Sequence, residues 1–252
     1  MTDLVPGTVV LVGGGPGDPD LITVGGLRAV QQADVILYDR LAPADVLAQA
    51  RPDAELVNVG KIPRGHQTSQ TEINRLLVAH AHAGRRVVRL KGGDNFVFGR
   101  GGEECQACAA AGVPVRVIPG VSSALAAPAL AGIPVTHRTL SQGFTVVSGH
   151  VPPGDPRSSV DWAALAHGRT TLVILMGVTY LPEIVARLLD AGLDADTPAA
   201  IVSRGSTPDA SVLRGTLGTI VDLEREAGIE PPAITVVGDV AGLDLSDRGV
   251  QR

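Results

Sequence analysis

The stretch from Arg89 to Glu104 combines residue types that could hold a small ligand. Apolar, β-branched residues at 87–90 predict a buried strand, and Gly92 and Gly93 let the backbone turn sharply where a side chain would collide with a ligand. Asp94 would then follow the carboxyl end of a strand, where open α/β sheets bind ligands. Its carboxylate suits a cation or a ribose hydroxyl, and the alternative is a solvent-facing turn.

Three basic side chains, Arg89, Lys91 and Arg100, surround this turn and would suit an anionic ligand. A helix is predicted to begin directly afterwards, because Glu103 and Glu104 favour the positive end of a helix dipole. Arg100 could instead pair locally with Glu103, and exposed pairs of this kind contribute little stability.

Two further polar residues follow predicted strands. Asp39 comes after the second strand and is a candidate site acid, although it could also cap a helix after Pro43. Ser122 suits the N-terminal cap of a helix of small residues over 124–131. A role for Ser122 as a nucleophile is disfavoured, because there is no G-x-S-x-G elbow and no identifiable acid–histidine partner.

A glycine-rich loop, Gly13–Pro19, follows the first predicted strand and suggests a nucleotide site. Asp18 occupies a position where the dinucleotide fingerprint requires glycine, and Pro16 and Pro19 forbid an early helix start. A Rossmann pyrophosphate loop is therefore disfavoured. The loop either lies against a ligand or is a rigid connection.

The remaining basic and histidine side chains give weaker indications. Lys61, Arg64 and His66 form a basic loop that could meet an acidic substrate, although such loops are commonly only solvated. His137 and His150 lack metal-ligand spacing, and structural or surface roles are more typical.

Cys105 and Cys108 form a C-x-x-C pattern, which invites a redox or metal interpretation. A metal site needs further ligands, and none is suitably spaced nearby. Both cysteines are predicted to lie in one helix, and we expect no metal.

Composition restricts the possible partners. The chain has 252 residues, 44% of them hydrophobic, which is enough for a large core. A net charge of −5 and 2% aromatic residues disfavour nucleic acid and anionic membranes as partners. There is no secretory leader pattern and no apolar run of membrane-spanning length, so we expect a cytoplasmic protein.

The elements that position these residues alternate between strand and helix. Strands are predicted over 8–12, 34–38, 55–59, 87–90, 113–118, 144–148, 170–176, 198–203, 211–217 and 233–237, and helices over 21–32, 69–83, 101–111, 124–131, 180–191 and from 218 to about 227. The turn at 206–209 indicates some antiparallel pairing in the second half.

The motifs, in their order and spacing, resemble the tetrapyrrole methylase family from about Val9 to Val240. They are V-G-G-G-P-G-D-P near the start, Y-D-R-L at 38–41, R-L-K-G-G-D-N-F-V-F-G-R-G-G-E-E at 89–104, P-G-V-S-S, A-G-I-P-V-T-H-R, S-G-H at 148–150, L-M-G at 175–177 and P-P-A-I-T-V-V-G-D-V. Each motif is weak alone, whereas the whole set is specific.

The resemblance implies an α/β fold with two α/β domains of the class III methyltransferase type and a cofactor cleft between them. We expect an N-terminal domain over 1–134, a C-terminal domain over 135–243 and a polar tail over 244–252. A homodimer is also implied.

The resemblance also implies functional residues. A pocket for S-adenosylmethionine, released as S-adenosylhomocysteine, would be lined by Pro16, Gly92, Gly93, Asp94, Ser122, Ser123, Met176, Gly205 and Ala233. The substrate-facing, catalytic group would be Asp39, Arg100, Glu103 and Arg138. The chain departs from the family pattern at Asn95, where proline is usual, and at Arg204-Gly205.

The implied reaction is methylation of a small-molecule tetrapyrrole, uroporphyrinogen III, at C2 and C7 to give precorrin-2. Its eight carboxylates would account for a local arginine cluster on an acidic protein. The alternatives are another precorrin or other substrate of the same family, and a nucleotide-binding regulatory module without chemistry.

Overall fold

The computed structural model describes residues 3–60 and 68–245. It divides into two compact units, Met1–Ser122 and Ser123–Arg252, so the division falls before the boundary after residue 134 that the sequence suggested. The basic loop with Lys61, Arg64 and His66 lies outside the described residues.

Within its described residues, 3–60 and 68–122, the first unit contains five strands and four α-helices. They are β1 (Val9–Gly13), α1 (Val24–Gln32), β2 (Val35–Tyr38), α2 (Ala44–Leu47), β3 (Glu55–Asn58), α3 (Gln70–His82), β4 (Val87–Lys91), α4 (Gly101–Ala110) and β5 (Val115–Ile118).

The sheet of the first unit has the order β3-β2-β4-β1-β5, and all its pairings are parallel. Helices cover both faces, as buried parallel sheets require. α3 and α4 pack on the face that carries Leu11 and Leu37, while α1 and α2 pack on the face that carries Val12 and Ile36. All five carboxyl ends therefore lie along one edge.

Two helices of the first unit, α1 and α3, begin after a capping side chain. Thr23 Oγ1 accepts a hydrogen bond from Gly26 N at 3.1 Å, so α1 begins at Val24 rather than at residue 21. A short 3₁₀ helix, Pro19–Leu21, occupies the preceding residues. Ser69 caps α3, with Glu72 N donating to its hydroxyl at 3.1 Å.

The second unit, as far as residue 245, also contains five strands and four α-helices. They are α5 (Ser123–Leu130), β6 (Phe144–Ser148), α6 (Trp162–His167), β7 (Thr171–Leu175), α7 (Leu181–Asp190), β8 (Pro198–Ser203), β9 (Ser211–Thr216), α8 (Ile220–Ala227) and β10 (Ala233–Val237). Short 3₁₀ helices cover Val178–Tyr180 and Asp239–Gly242.

The sheet of the second unit has the order β6-β7-β10-β8-β9. β6 and β7 are parallel and the other pairs are antiparallel, which confirms the mixed pairing predicted for this half. α6, α7 and α8 cover one face, and α5 covers the other through Ala124 and Ala127. α5 packs on this sheet, which places it in the second unit instead of the first. α6, which was not predicted, buries Trp162.

Within the described ranges, no helix combines the length and the apolar character needed to cross a membrane.

Candidate active site

Most candidate residues of the first unit lie at the carboxyl edge of its sheet. Pro16 follows β1, Asp39 follows β2, Gly92–Asp94 follow β4 and Ser122 follows β5. The helices after the neighbouring strands β1 and β4 pack on opposite faces, which is the position where α/β sheets bind ligands. The parallel topology therefore brings together residues that lie far apart in the sequence.

Three glycine loops meet at this edge through their backbones. A Cβ on Gly120 would lie 2.3 Å from Gly93 O, and a Cβ on Gly13 would lie 2.4 Å from Gly120 N. Gly93 N donates to Gly15 O at 2.6 Å, and Gly15 N donates to Gly93 O at 3.2 Å. The loops after β1, β4 and β5 can approach this closely because they carry no side chains at the contact.

The Asp94 carboxylate joins two of these loops. Its Oδ1 accepts from Phe96 N at 2.8 Å, and its Oδ2 accepts from Gly120 N at 3.0 Å. The neighbouring Asn95 is buried, and its Nδ2 donates to Ile118 O at 2.9 Å. Asp94 thus has a structural role within the unit, beside the ligand contact proposed from the sequence.

Arg89 and Lys91 are buried and form ion pairs with Glu104. Glu104 on α4 is 0% exposed, and its Oε1 accepts from Arg89 Nε at 3.0 Å while its Oε2 accepts from Lys91 Nζ at 2.9 Å. Burial lowers the pKa of Lys91, and the charge of Arg89 lowers it further. The expectation that these two cations bind an anionic ligand is therefore wrong. Because they are two residues apart on β4, both side chains point to the same face of the sheet, toward α3 and α4, rather than toward the carboxyl edge.

Asp39 is the member of this charged cluster nearest to solvent. Its side chain is 28% exposed, and its Oδ2 lies 3.3 Å from Arg89 NH2. Its Oδ1 accepts from Leu41 N at 3.0 Å, which forms an Asx turn. The cap of α2 is Pro43 and has no side-chain hydrogen bond, so Asp39 does not cap that helix.

Arg100 and Glu103 form the local pair that the sequence allowed. Arg100 Nε and NH2 donate to the two Glu103 oxygens at 2.8 and 2.6 Å, and both side chains are exposed. Arg100 hydrogen bonding lowers the pKa of Glu103. Arg100 has a φ of 58° at the start of α4, a conformation that costs a non-glycine residue energy.

Three candidate residues of the second unit, Met176, Gly205 and Ala233, also share one sheet edge. β10 is antiparallel to β7 and β8, so its start lies at the same edge as their ends. Ala233, at the start of β10, lies beside Ser203 at the end of β8. Met176 follows β7, and Gly205 follows β8. Ser123 is the first residue of α5. Arg138 is separate from both. It lies in an exposed turn closed by His137 and Ser141, outside this group.

Left-handed backbone is concentrated at this same edge. Met176, Arg204 and Ser206 have φ values of 58°, 48° and 73°. Met176 also exposes 50% of its surface although it is apolar. Residues held in such conformations are frequent at ligand sites, because the surrounding structure must hold them there.

A Ser148–His150 pair lies at the end of β6 and was not identified as functional from the sequence. Ser148 is buried, and its Oγ lies 2.8 Å from His150 Nδ1. Between them, a Cβ on Gly149 would lie 2.7 Å from Gly177 Cα, so the turns after β6 and β7 are in contact. The S-G-H motif was the available indication, but only the structure shows that its first and third residues pair.

Cys108 is buried, and burial raises the pKa of its thiol to about 11, which disfavours a reactive thiolate in the C-x-x-C. Among the residues that the structure describes, no group of three or more His, Cys, Asp or Glu side chains is placed to hold a metal ion.

Comparison with known proteins identifies relatives across most of the chain. Residues 8–221 match the family model of Tetrapyrrole (Corrin/Porphyrin) Methylases. The chain is 50% identical to a uroporphyrinogen-III C-methyltransferase from Priestia megaterium, over 93% of this chain and 98% of that protein. It is 48% identical to a siroheme synthase from Xylella fastidiosa, of which it spans 49%.

Among solved structures, the chain is similar to uroporphyrin-III C-methyl transferase from Thermus thermophilus complexed with S-adenyl homocysteine. The TM-score is 0.78 and the identity 44%, over 93% of this chain and 99% of that chain. A cobalt precorrin-4 methyltransferase gives a TM-score of 0.83 at 29% identity, over 93% of this chain and 96% of that one.

Proposed function

Because this chain belongs to the tetrapyrrole methylase family and is a methyltransferase that uses S-adenosylmethionine, we propose that it methylates uroporphyrinogen III at C2 and C7 to give precorrin-2. The observation that carries the proposal is the 50% identity to the Priestia megaterium uroporphyrinogen-III C-methyltransferase over 98% of that protein's length. The siroheme synthases match over about half of their length, which is consistent with a methylase portion of those longer proteins.

Each sheet edge, taken by itself, offers groups that suit part of a nucleoside cofactor. At the first edge, Gly92, Gly93 and Pro16 form loops without long side chains, with Asp94 and Ser122 beside them. At the second edge, Met176, Gly205 and Ala233 supply apolar and small surfaces. Following the family resemblance, we assign these residues, together with Ser123 at the start of α5, to cofactor binding.

The proposed reaction needs positioning rather than a protein nucleophile. When bound, S-adenosylmethionine supplies a methyl group on a sulfonium, which an electron-rich pyrrole carbon takes by in-line displacement before the ring loses a proton. The chain's residues align the reactants and exclude water, and this alignment carries much of the rate.

The substrate-facing residues are assigned from the family resemblance, and their charge and exposure support the assignment. Arg100 and Arg138 are exposed cations on a protein of net charge −5, and they suit the carboxylates of the tetrapyrrole. Asp39 and Glu103 supply carboxylates that orient the ring or accept its proton.

We also propose that the enzyme is cytoplasmic and forms a homodimer. Light scattering of the purified protein checks the homodimer.

An anaerobic assay tests the function. The purified protein is incubated with S-adenosylmethionine and enzymatically generated uroporphyrinogen III, and the products are followed by mass and absorbance. We expect a gain of two methyl groups. Cofactor binding without a mass gain would refute this substrate.

A second candidate function is methylation of a later precorrin, because the cobalt precorrin-4 methyltransferase has the higher TM-score. Its lower identity, 29% against 44%, favours uroporphyrinogen III. The same assay with precorrin substrates separates the two candidates.

A further inference from the structure

A buried chain of charges leads from α4 to the carboxyl edge of the first sheet. Glu104, at 0% exposure, contacts Arg89 and Lys91, which are each 4% exposed. Arg89 in turn contacts Asp39, which is 28% exposed. Of these four charged groups, Asp39 is the one that reaches solvent.

Stability alone is a poor explanation for this cluster. Arg89 and Lys91 lie on a strand whose other residues are apolar, and the same face packs against Leu37, Leu77 and Cys108. Apolar residues could fill such a face, and replacing a buried ion cluster by apolar residues is often neutral or stabilising. The charges therefore call for a role beyond packing.

The contacts of Arg89 fix its guanidinium in one orientation. Nε donates to Glu104 Oε1 at 3.0 Å, and NH1 donates to Leu90 O at 3.0 Å and lies 3.4 Å from Leu37 O. NH2 is left facing Asp39 Oδ2 at 3.3 Å. With Oδ1 held by Leu41 N, both oxygens of Asp39 are oriented.

We propose that Glu104 is a positioning residue for Asp39, acting through Arg89. Glu104 fixes Arg89, Arg89 fixes the Asp39 carboxylate, and Glu104 also balances the second cation, Lys91. Without the Glu104 charge, two buried cations would face Asp39 alone and draw its carboxylate inward, away from the edge. The inference rests on the proposed function, in which Asp39 faces the tetrapyrrole.

A double-mutant cycle with Glu104→Gln and Asp39→Asn tests the inference, using kcat and KM for uroporphyrinogen III and the Kd of S-adenosylmethionine. Glu104→Gln alone should lower kcat/KM for the tetrapyrrole about tenfold, with little change in cofactor Kd. In the Asp39→Asn background the same substitution should change kcat/KM by less than about twofold. An equal loss in both backgrounds would overturn the inference.

Two further variants separate positioning from folding. Asp34→Asn removes a carboxylate from the ion cluster with Arg51 and Arg86 on the same unit, and it should lower Tm without changing the tetrapyrrole KM. Arg89→Lys keeps the charge but lacks the branched guanidinium that contacts both Glu104 and Asp39, so it should reproduce the kinetic loss. This variant replaces Glu104→Gln in the test if Glu104→Gln does not fold. Normal kinetics in Arg89→Lys would contradict the inference.

A failure of the proposed function can be distinguished from a failure of this inference. It appears in the wild-type protein as absence of methyl transfer to uroporphyrinogen III. Failure of the present inference appears only in the variants, with the wild-type protein active.

Discussion

The carboxylate of Asp94 accepts a hydrogen bond from Gly120 N at 3.0 Å and so joins the loop after β4 to the loop after β5. Both loops carry proposed cofactor residues. The side chain that the sequence marks as a ligand contact therefore also fixes the surface on which the ligand would rest.

Removing this carboxylate should affect both binding and stability. Asp94→Ala leaves Gly120 N and Phe96 N without their acceptor, at a cost of about 1–2 kcal/mol, and should raise the Kd of S-adenosylmethionine at least about tenfold. Calorimetric titration and thermal melting measure the two effects. Asp194→Ala, which removes an exposed Asx turn to Asp196 N, is the control and should leave the Kd unchanged. An unchanged Kd in Asp94→Ala would contradict the assignment.

The contact of the glycine loops gives a prediction about packing. Gly120→Ala places a Cβ 2.3 Å from Gly93 O, and the backbone must shift at a cost of at least about 2 kcal/mol. Gly102→Ala, where nothing lies within 4 Å of the added Cβ, should be neutral or stabilise α4 by up to about 1 kcal/mol. Urea unfolding of both variants checks the contrast, and equal stabilities would show that the loops are not in contact.

The Arg100–Glu103 pair gives a prediction about substrate binding. Arg100→Ala should raise the tetrapyrrole KM roughly tenfold or abolish turnover, because a charge-assisted contact to a substrate carboxylate is lost, while cofactor affinity stays nearly intact. Arg75→Ala is a matched control, since Arg75 forms the same two-bond, i,i+3 pair with Glu72 on α3. Equal loss of cofactor affinity in Arg100→Ala would refute the substrate role.

The charge cluster around Asp34 gives a prediction about pH. Hydrogen bonding from Arg86 lowers the pKa of Asp34 well below its ordinary value of 3.8, against the opposing effect of burial. A carboxyl with a lowered folded-state pKa stabilises the fold above its unfolded pKa, and this stability is lost as the pH falls. The Tm difference between wild type and Asp34→Asn should be full at pH 7 and shrink below about pH 4. A difference independent of pH between 7 and 3 would be inconsistent with this account.

The strands were largely predictable from the sequence because their apolar runs are short and bounded by turn residues. β6, β8 and β10 have the bounds predicted for them, and α3 begins where Ser69 can cap it. The edge positions of Asp39 and Asp94 follow from parallel topology alone.

The direction of the charged side chains was not predictable. The sequence indicates only that Glu104 favours a helix start, and its pairing with Arg89 and Lys91 depends on how α4 packs across the sheet. The Ser148–His150 pair similarly depends on a turn conformation that the residue types do not specify. Such side-chain contacts are set by tertiary packing, which local patterns do not encode.

The different strand pairings of the two sheets also have a consequence for how the chain folds. In the β8–β9 pair, Ser203 lies opposite Ser211 across a short turn. In the β1–β4 pair, Val9 lies opposite Val87, which is distant in the chain. Contacts between residues that are distant in the chain form late, because the intervening loop must first be closed. The β8–β9 hairpin should therefore gain hydrogen-exchange protection before β1 during refolding. During synthesis, the apolar β1 strand stays unpaired until β4 has emerged, and an unpaired apolar strand favours aggregation in that interval.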